Sequence, residues 1–259
     1  MIFDTHAHYD DEAFDEDRDA VLSSLAEKGV GTVVNICASR ASLKRIPELV
    51  KRYPFVYGAV GIHPDHAGEL DEEGMQEVSR LADEEKIVAI GEIGLDYYWD
   101  TAPRKIQRYW FERQLALAVE KDLPVVIHSR EAAQETLEIL RHAYKESGGK
   151  LRGVIHCFSG SAEIAKEYTD RGFFIGVGGV VTFKNGKRLK EVVETMPLEK
   201  LVIETDCPYL APVPYRGKRN DSTLLRLVIE EIANLRGLTA KEVEQLTEEN
   251  ARRLYRLGK

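Results

Sequence analysis

The chain has 259 residues, close to the roughly 250 that a single α/β barrel typically needs. Its composition, 43% hydrophobic and 31% charged, is that of a soluble globular protein, and no apolar run approaches the roughly 18 residues of a membrane span. A net charge of −8 excludes the broad basic surface of a non-specific DNA binder, although local cations or bound divalent metals can still admit a polyanion.

The N-terminus, MIFDTHAHYDDEAFDED, carries no basic leader and turns acidic at once, so a cytoplasmic location and no membrane segment are expected. No Gly/Ser linker or composition break divides the sequence, and a single domain over residues 1–259 is expected. Cys37, Cys157 and Cys207 are odd in number and lack C-x-x-C spacing. They read as small buried filler rather than as a disulfide framework or a zinc knuckle.

Short β-branched runs alternate along the chain with longer segments of helical periodicity. Strands are expected near 2–5, 32–36, 56–60, 87–90, 124–127, 153–155, 173–177 and 201–203. Between them, RYWFERQLALAVEKD after Pro103 and TLEILRHAYKE after Arg130 place apolar residues at helical spacing among good helix formers. The last stretch, LTAKEVEQLTEENARRLYRL, reads as one or two helices packed outside the barrel, with Thr239 as N-cap and Glu242 completing a capping box. Eight strands alternating with helices make an α/β fold, a (β/α)8 TIM barrel with an extra C-terminal helix. A doubly wound sheet would carry a glycine-rich turn after its first strand; the GVGG at Gly176 to Gly179 comes late and lacks the final glycine.

Most of these runs end on a histidine or a carboxylate, and a parallel barrel gathers such ends at one face. His6 and His8 are two apart, so the strand period turns both to one side, where both imidazoles can reach one metal. Of seven histidines, His6, His8, His63, His66, His128 and His156 fall at or just past strand ends, and only His142 sits on a helix surface. Glu92 closes IVAIGE between Gly91 and Gly94, where a carboxylate with two oxygens can serve two cations. His128 and His156 then complete one metal position; His6, His8 and Asp206 complete the other.

Asp206 ends the eighth strand, and Glu204 faces the same way two residues earlier. A carboxylate there either ligates metal and takes a proton from the attacking water, or orients a histidine from behind. Arg130 can aim a guanidinium at an anionic substrate or form a structural ion pair. Tyr209, Tyr215, Arg216, Lys218 and Arg219 make a local basic loop with aromatics, suited to phosphate contact or to a solvated rim. Tyr97, Tyr98 and Trp99 form a second aromatic group that either stacks on a base or packs the barrel rim.

In order along the chain, FDTHAH, GIHP, GEIGLDYY, LPVVIHSR, HCFSG, TFKN and ETDCPYLAPVPYRGKRN resemble the TatD family of metal-dependent deoxyribonucleases, within the amidohydrolase-like barrel enzymes. The resemblance runs nearly end to end. It implies a TIM barrel, two divalent cations (magnesium, manganese, zinc or nickel) and phosphodiester hydrolysis on DNA, in the form of a 3′ to 5′ exonuclease on single strands. By position, His6 and His8 match the first ligand pair, Glu92 the shared acid, His128 and His156 the later histidines, and Asp206 the last acid. His63 and Arg130 match substrate-side groups, with Arg219 in the basic loop beyond. Where the family often continues RGKRN with Glu-Pro, this chain has Asp221 and Ser222. The residues themselves point to metal-assisted hydrolysis, which leaves another ester or amide, such as D-aminoacyl-tRNA or a lactone, and a non-catalytic metal binder as rival readings.

Overall fold

The computed structural model describes residues 1–258. Its strands are β1 (Ile2–Ala7), β2 (Val30–Ile36), β3 (Val56–Val60), β4 (Ile87–Asp96), β5 (Val125–Arg130), β6 (Gly153–Ile155), β7 (Phe174–Val177) and β8 (Leu201–Ile203). They form one eight-stranded parallel sheet in chain order, curved into a nearly closed (β/α)8 barrel. Helices α1 (Arg18–Ser24), α2 (Arg40–Arg52), α3 (Glu72–Leu81), α4 (Arg104–Glu120), α5 (Ala133–Glu146), α6 (Ala162–Thr169), α7 (Lys187–Thr195) and α8 (Leu225–Arg236) each follow one strand. No helix among the described residues is long and apolar enough to cross a membrane.

Strands covered on both faces favour apolar residues, so Val and Ile dominate them, with polar exceptions such as Asp4, Thr5, His6, Thr32 and Asn35 in β1 and β2. Phe3, Val34, Ile36, Ala59, Val126, Val154, Phe174 and Val202 fill the inside of the barrel as one cluster. The last helix, α9 (Ala240–Tyr255), adds Ala251, Leu254 and Tyr255 to that same cluster. It thus stoppers the end of the barrel where the strands begin, instead of lying only outside as the sequence led us to expect. Tyr255 Oη donates to the Thr5 carbonyl at 2.8 Å, and the capping box of Thr239 and Glu242 starts the helix.

Two departures from ideal strands prepare the other end. The register of β1 shifts between Asp4 and Ala7, and that of β4 between Ile90 and Ile93. Such irregularities re-aim side chains, and here they bring His6, His8 and Glu92 to the same face as His128 and His156. Those two follow the inward Val126 and Val154 by the strand period. Between β8 and β1 the only bridge among the described residues is Ala7 with Cys207. The rest of that joint is made by Asp206 N–H to the His6 carbonyl at 3.0 Å, His8 N–H to the Cys207 carbonyl at 2.9 Å, and the buried Asp4 carboxylate. Asp4 accepts from Thr205 N–H at 3.0 Å, from Thr205 Oγ1 at 2.7 Å and from Ser222 Oγ at 2.7 Å. The Asp221-Ser222 departure is thereby accounted for: Asp221 caps a short turn at Thr223, and the Ser222 hydroxyl enters this network.

Candidate metal centre

Glu92 lies at the middle of five imidazoles. Its Oε2 is 3.4 Å from His6 Nε2 and 3.8 Å from His8 Nε2. Its Oε1 is 2.9 Å from His128 Nδ1, 3.7 Å from His156 Nε2 and 3.8 Å from His63 Nε2. Asp206 Oδ1 approaches His8, His156 and His6 Nε2 at 3.5, 3.6 and 3.7 Å. The sets His6–His8–Glu92, His6–His156–Asp206 and His63–Glu92–His128 each gather donor atoms closely enough to hold a metal ion. His156 stands between two groups rather than with His128 alone: its ring stacks on His6 at 3.5 Å between centroids.

Three of these rings have a partner behind them, while the buried Nδ1 of His6 has none. His8 Nδ1 meets the Ile36 carbonyl at 2.9 Å, which leaves Nε2 for the cluster. Glu204 sits on the far side of His156, 3.1 Å from its Nδ1, and accepts the Cys157 N–H. Gly176 makes room for it, because a Cβ there would collide with the Glu204 carboxylate. His128 Nε2 meets Asp96 Oδ2 at 2.9 Å. Asp96 was not among the residues picked out from sequence; its signal is that β4 continues past Glu92 for four more residues, so that GLD is strand rather than loop. At Gly94, φ is +150° and any Cβ would collide with the His128 carbonyl, so only glycine lets β4 and β5 approach here. From α4, two turns apart on one face, Gln107 bonds the main chain of Asp96 and Gln114 that of Ile62.

A family model described as "TatD related DNase" matches residues 3–256. The chain belongs to the TatD family of metal-dependent hydrolases. It is 44% identical over 258 residues to the uncharacterized metal-dependent hydrolase YabD of Bacillus subtilis strain 168, covering 100% of both chains. It is 34% identical to the 3′-5′ ssDNA/RNA exonuclease TatD of Erwinia tasmaniensis, over 99% of this chain and 100% of that one. Among solved structures, YJJV, a TatD homologue from Escherichia coli K12, superposes with a TM-score of 0.91 at 29% identity, over 99% and 98% of the two chains.

The donor spacing of this TatD-family cluster fits a metal. With bonds of about 2.1 Å, neighbouring ligand atoms lie about 3.0 to 3.4 Å apart. His6 Nε2 and His8 Nε2 are 3.0 Å apart, and His6 Nε2 is 3.4 Å from Glu92 Oε2. Packing such acceptors together in a buried site is costly unless a proton or a cation lies among them. Mixed imidazole and carboxylate donors suit zinc, nickel and manganese, and the carboxylates also admit magnesium.

Charge sharing inside the cluster displaces its titrations in opposite directions. Burial opposes ionisation of Glu92, but His156, His6, His63 and the hydrogen bond with His128 outweigh it and hold the carboxyl well below its usual range. Burial likewise opposes the imidazolium forms. Asp206 and Glu92 overcome it at His8, pushed up to about 9; Asp96 and Glu92 do so at His128, also to about 9; Glu204, Glu92 and Asp206 do so at His156, to about 10. His63 is held down to about 3 by burial and by His128, and His6 is lowered by burial and by His156.

Raised imidazoles stabilise the chelated protein fully below their unfolded value near 6.5, and that stability is lost as pH rises towards about 9 to 10. His6 and His63 act oppositely, costing stability as pH falls below 6.5. Chelated protein is therefore expected to be most stable near neutrality and to lose Tm as pH rises from 7 to 10. Metal-loaded protein, its imidazoles already deprotonated, should lose little. Paired melting curves with and without chelator check this, and a chelated Tm that rises towards pH 10 would contradict the assignment.

The remaining residues read as site candidates divide. Arg130 is exposed at the end of β5, its guanidinium carbon 3.9 Å from the Tyr98 ring centroid. Arg219 is turned away, donating to both oxygens of Asp17 at 2.8 and 2.6 Å and to the Ala13 carbonyl. Tyr209 Oη bonds Asp11, and Arg216 covers Phe183. The basic loop is thus knitted to the acidic N-terminal segment. His66 pairs with Glu69 at 3.3 Å outside the cluster, and His142 is exposed on α5. The three cysteines are free thiols; Cys37 and Cys207 are buried, and burial raises the pKa of all three.

Proposed function

We propose that this chain hydrolyses phosphodiester bonds of single-stranded DNA from the 3′ end, using two divalent cations that His6, His8, Glu92, His128, His156 and Asp206 would hold. The observation that carries the reading is the division of Glu92: Oε2 faces His6 and His8, while Oε1 faces His128, His156 and His63. The name of the Erwinia relative supports the substrate and the direction. Cations held there would supply Lewis acidity towards a phosphoryl oxygen and make water a stronger acid.

The chain's own groups do the rest. Asp206 is the most open carboxylate of the cluster, its side chain 18% exposed against 4% for Glu92. Burial raises its pKa, but His156, His8 and His6 outweigh that and keep it ionised near neutrality. As the water oxygen bonds to phosphorus, Asp206 takes the proton, and the bond to the 3′ sugar oxygen breaks; that oxygen leaves as an alcohol after protonation from solvent. His63 Nδ1 accepts from Asp65 N–H at 3.2 Å, so the neutral ring carries its proton on Nε2 and can donate it to a phosphoryl oxygen. Glu204 orients His156 rather than touching substrate.

The test is a metal-by-substrate profile of the purified protein with magnesium, manganese, zinc and nickel. Mononucleotides should be released from the 3′ end of a 5′-labelled single strand, and aminoacyl esters and lactones should remain intact. Turnover of those carbonyl substrates without phosphodiester cleavage overturns the reading, and so does a metal-loaded protein that cuts nothing.

A further inference from the structure

Beyond the cluster, the run Tyr97–Tyr98–Trp99 has split into two environments. Tyr97 is half-buried, its Oη bonded to Glu135 and its ring beneath Arg104. Tyr98 and Trp99 are 56% and 60% exposed, and their rings meet edge to face at 5.1 Å. Large aromatics left open side by side are unusual for a surface that binds nothing.

Their placement ties them to the site. Asp96 Oδ1 accepts the main-chain N–H groups of Tyr98 and Trp99 at 2.9 and 2.8 Å, while its Oδ2 faces His128. One carboxylate therefore fixes both the aromatic loop and a ligand candidate. Arg130 pairs with Asp96 across β4 and β5 and lays its guanidinium 3.9 Å from the Tyr98 centroid and 5.6 Å from that of Trp99. Two residues of strand, about 6.6 Å, separate Arg130 from His128.

We propose that Tyr98, Trp99 and Arg130 form a stacking subsite for an unpaired nucleobase next to the scissile phosphate. The rings offer π-faces that a base inside a duplex cannot use, because its own faces are already covered, so the subsite selects single strands without reading sequence. Arg130 braces the stack and supplies positive charge to the neighbouring phosphate. This inference rests on the phosphodiester reading.

The experiment uses metal-loaded protein, a labelled phosphorothioate single strand that resists cleavage, and anisotropy to follow binding. Trp99→Ala should weaken binding about 5- to 150-fold, and Trp99→Phe should restore most of it. A strand with abasic sites should bind wild type and Trp99→Ala alike. Trp99 and Trp110 are the two tryptophans of the chain, and Trp110 is 7% exposed, so quenching by the intact strand reports Trp99. Equal affinity of Trp99→Ala and wild type, or an abasic strand bound as tightly as the intact one, overturns the subsite even while the wild type still cuts DNA. A wild type that cuts no strand overturns the phosphodiester reading itself.

Discussion

Glu92→Ala is expected to lower phosphodiester turnover by roughly 10³-fold or more and to reduce the bound metal below the wild-type content. If Glu92 is shared as proposed, its loss would remove a ligand from both positions at once, and several kcal/mol of Lewis-acid stabilisation would convert to at least that factor at about 1.4 kcal/mol per tenfold. The geometry makes the residue hard to replace. Five imidazole nitrogens lie within 3.8 Å of its oxygens, and its side chain is 4% exposed, so water cannot stand in for it without rearrangement. Glu92→Gln keeps the volume and one carbonyl oxygen and should retain more metal than the alanine variant while remaining slow. Metal analysis beside steady-state kinetics checks both. Turnover within tenfold of wild type at full metal content in Glu92→Ala would remove Glu92 from the shared position.

Asp206→Asn separates ligation from proton transfer. Asparagine matches aspartate in size but cannot accept the proton, and losing a positioned base typically costs about 10² to 10⁴ in rate. The backbone supports the choice: Asp206 has φ +59°, a left-handed conformation that asparagine adopts more readily than alanine. The expected result is a fall in kcat of that size, KM within about threefold, and loss of the acidic limb of the pH–rate profile. An unchanged acidic limb would assign the base to another group.

Much of this was legible in the sequence because barrel strands are apolar runs and their last residues are the polar ones. IFDTHAH, VVIHSR and LVIETD show the change from filler to ligand candidate within two or three residues. The period of two also puts His128 on the side of Val126, and His156 on that of Val154. What periodicity could not show is where it breaks. The register shifts in β1 and β4 decide where His6, His8 and Glu92 point, and β4 runs to Asp96, six residues past the end expected at 90. Asp96 was hidden by that extension. His63 stands 3.8 Å from Glu92 because Gln114, more than fifty positions away in sequence, clamps the preceding residue Ile62. Arg219 counted towards a basic loop in one dimension, while in three dimensions its charge is taken by Asp17.

The joint between β8 and β1 has a further consequence. Seven neighbouring strand pairs are held by parallel ladders, three of them with register shifts, but this last pair is fastened by main-chain bonds of His6, His8, Asp206 and Cys207. The ring cannot breathe open at its weakest point without pulling the candidate ligands apart. A cation held there would act as a clasp joining the start of the chain to its eighth strand, so that occupancy of the site and the integrity of the whole cylinder would be coupled.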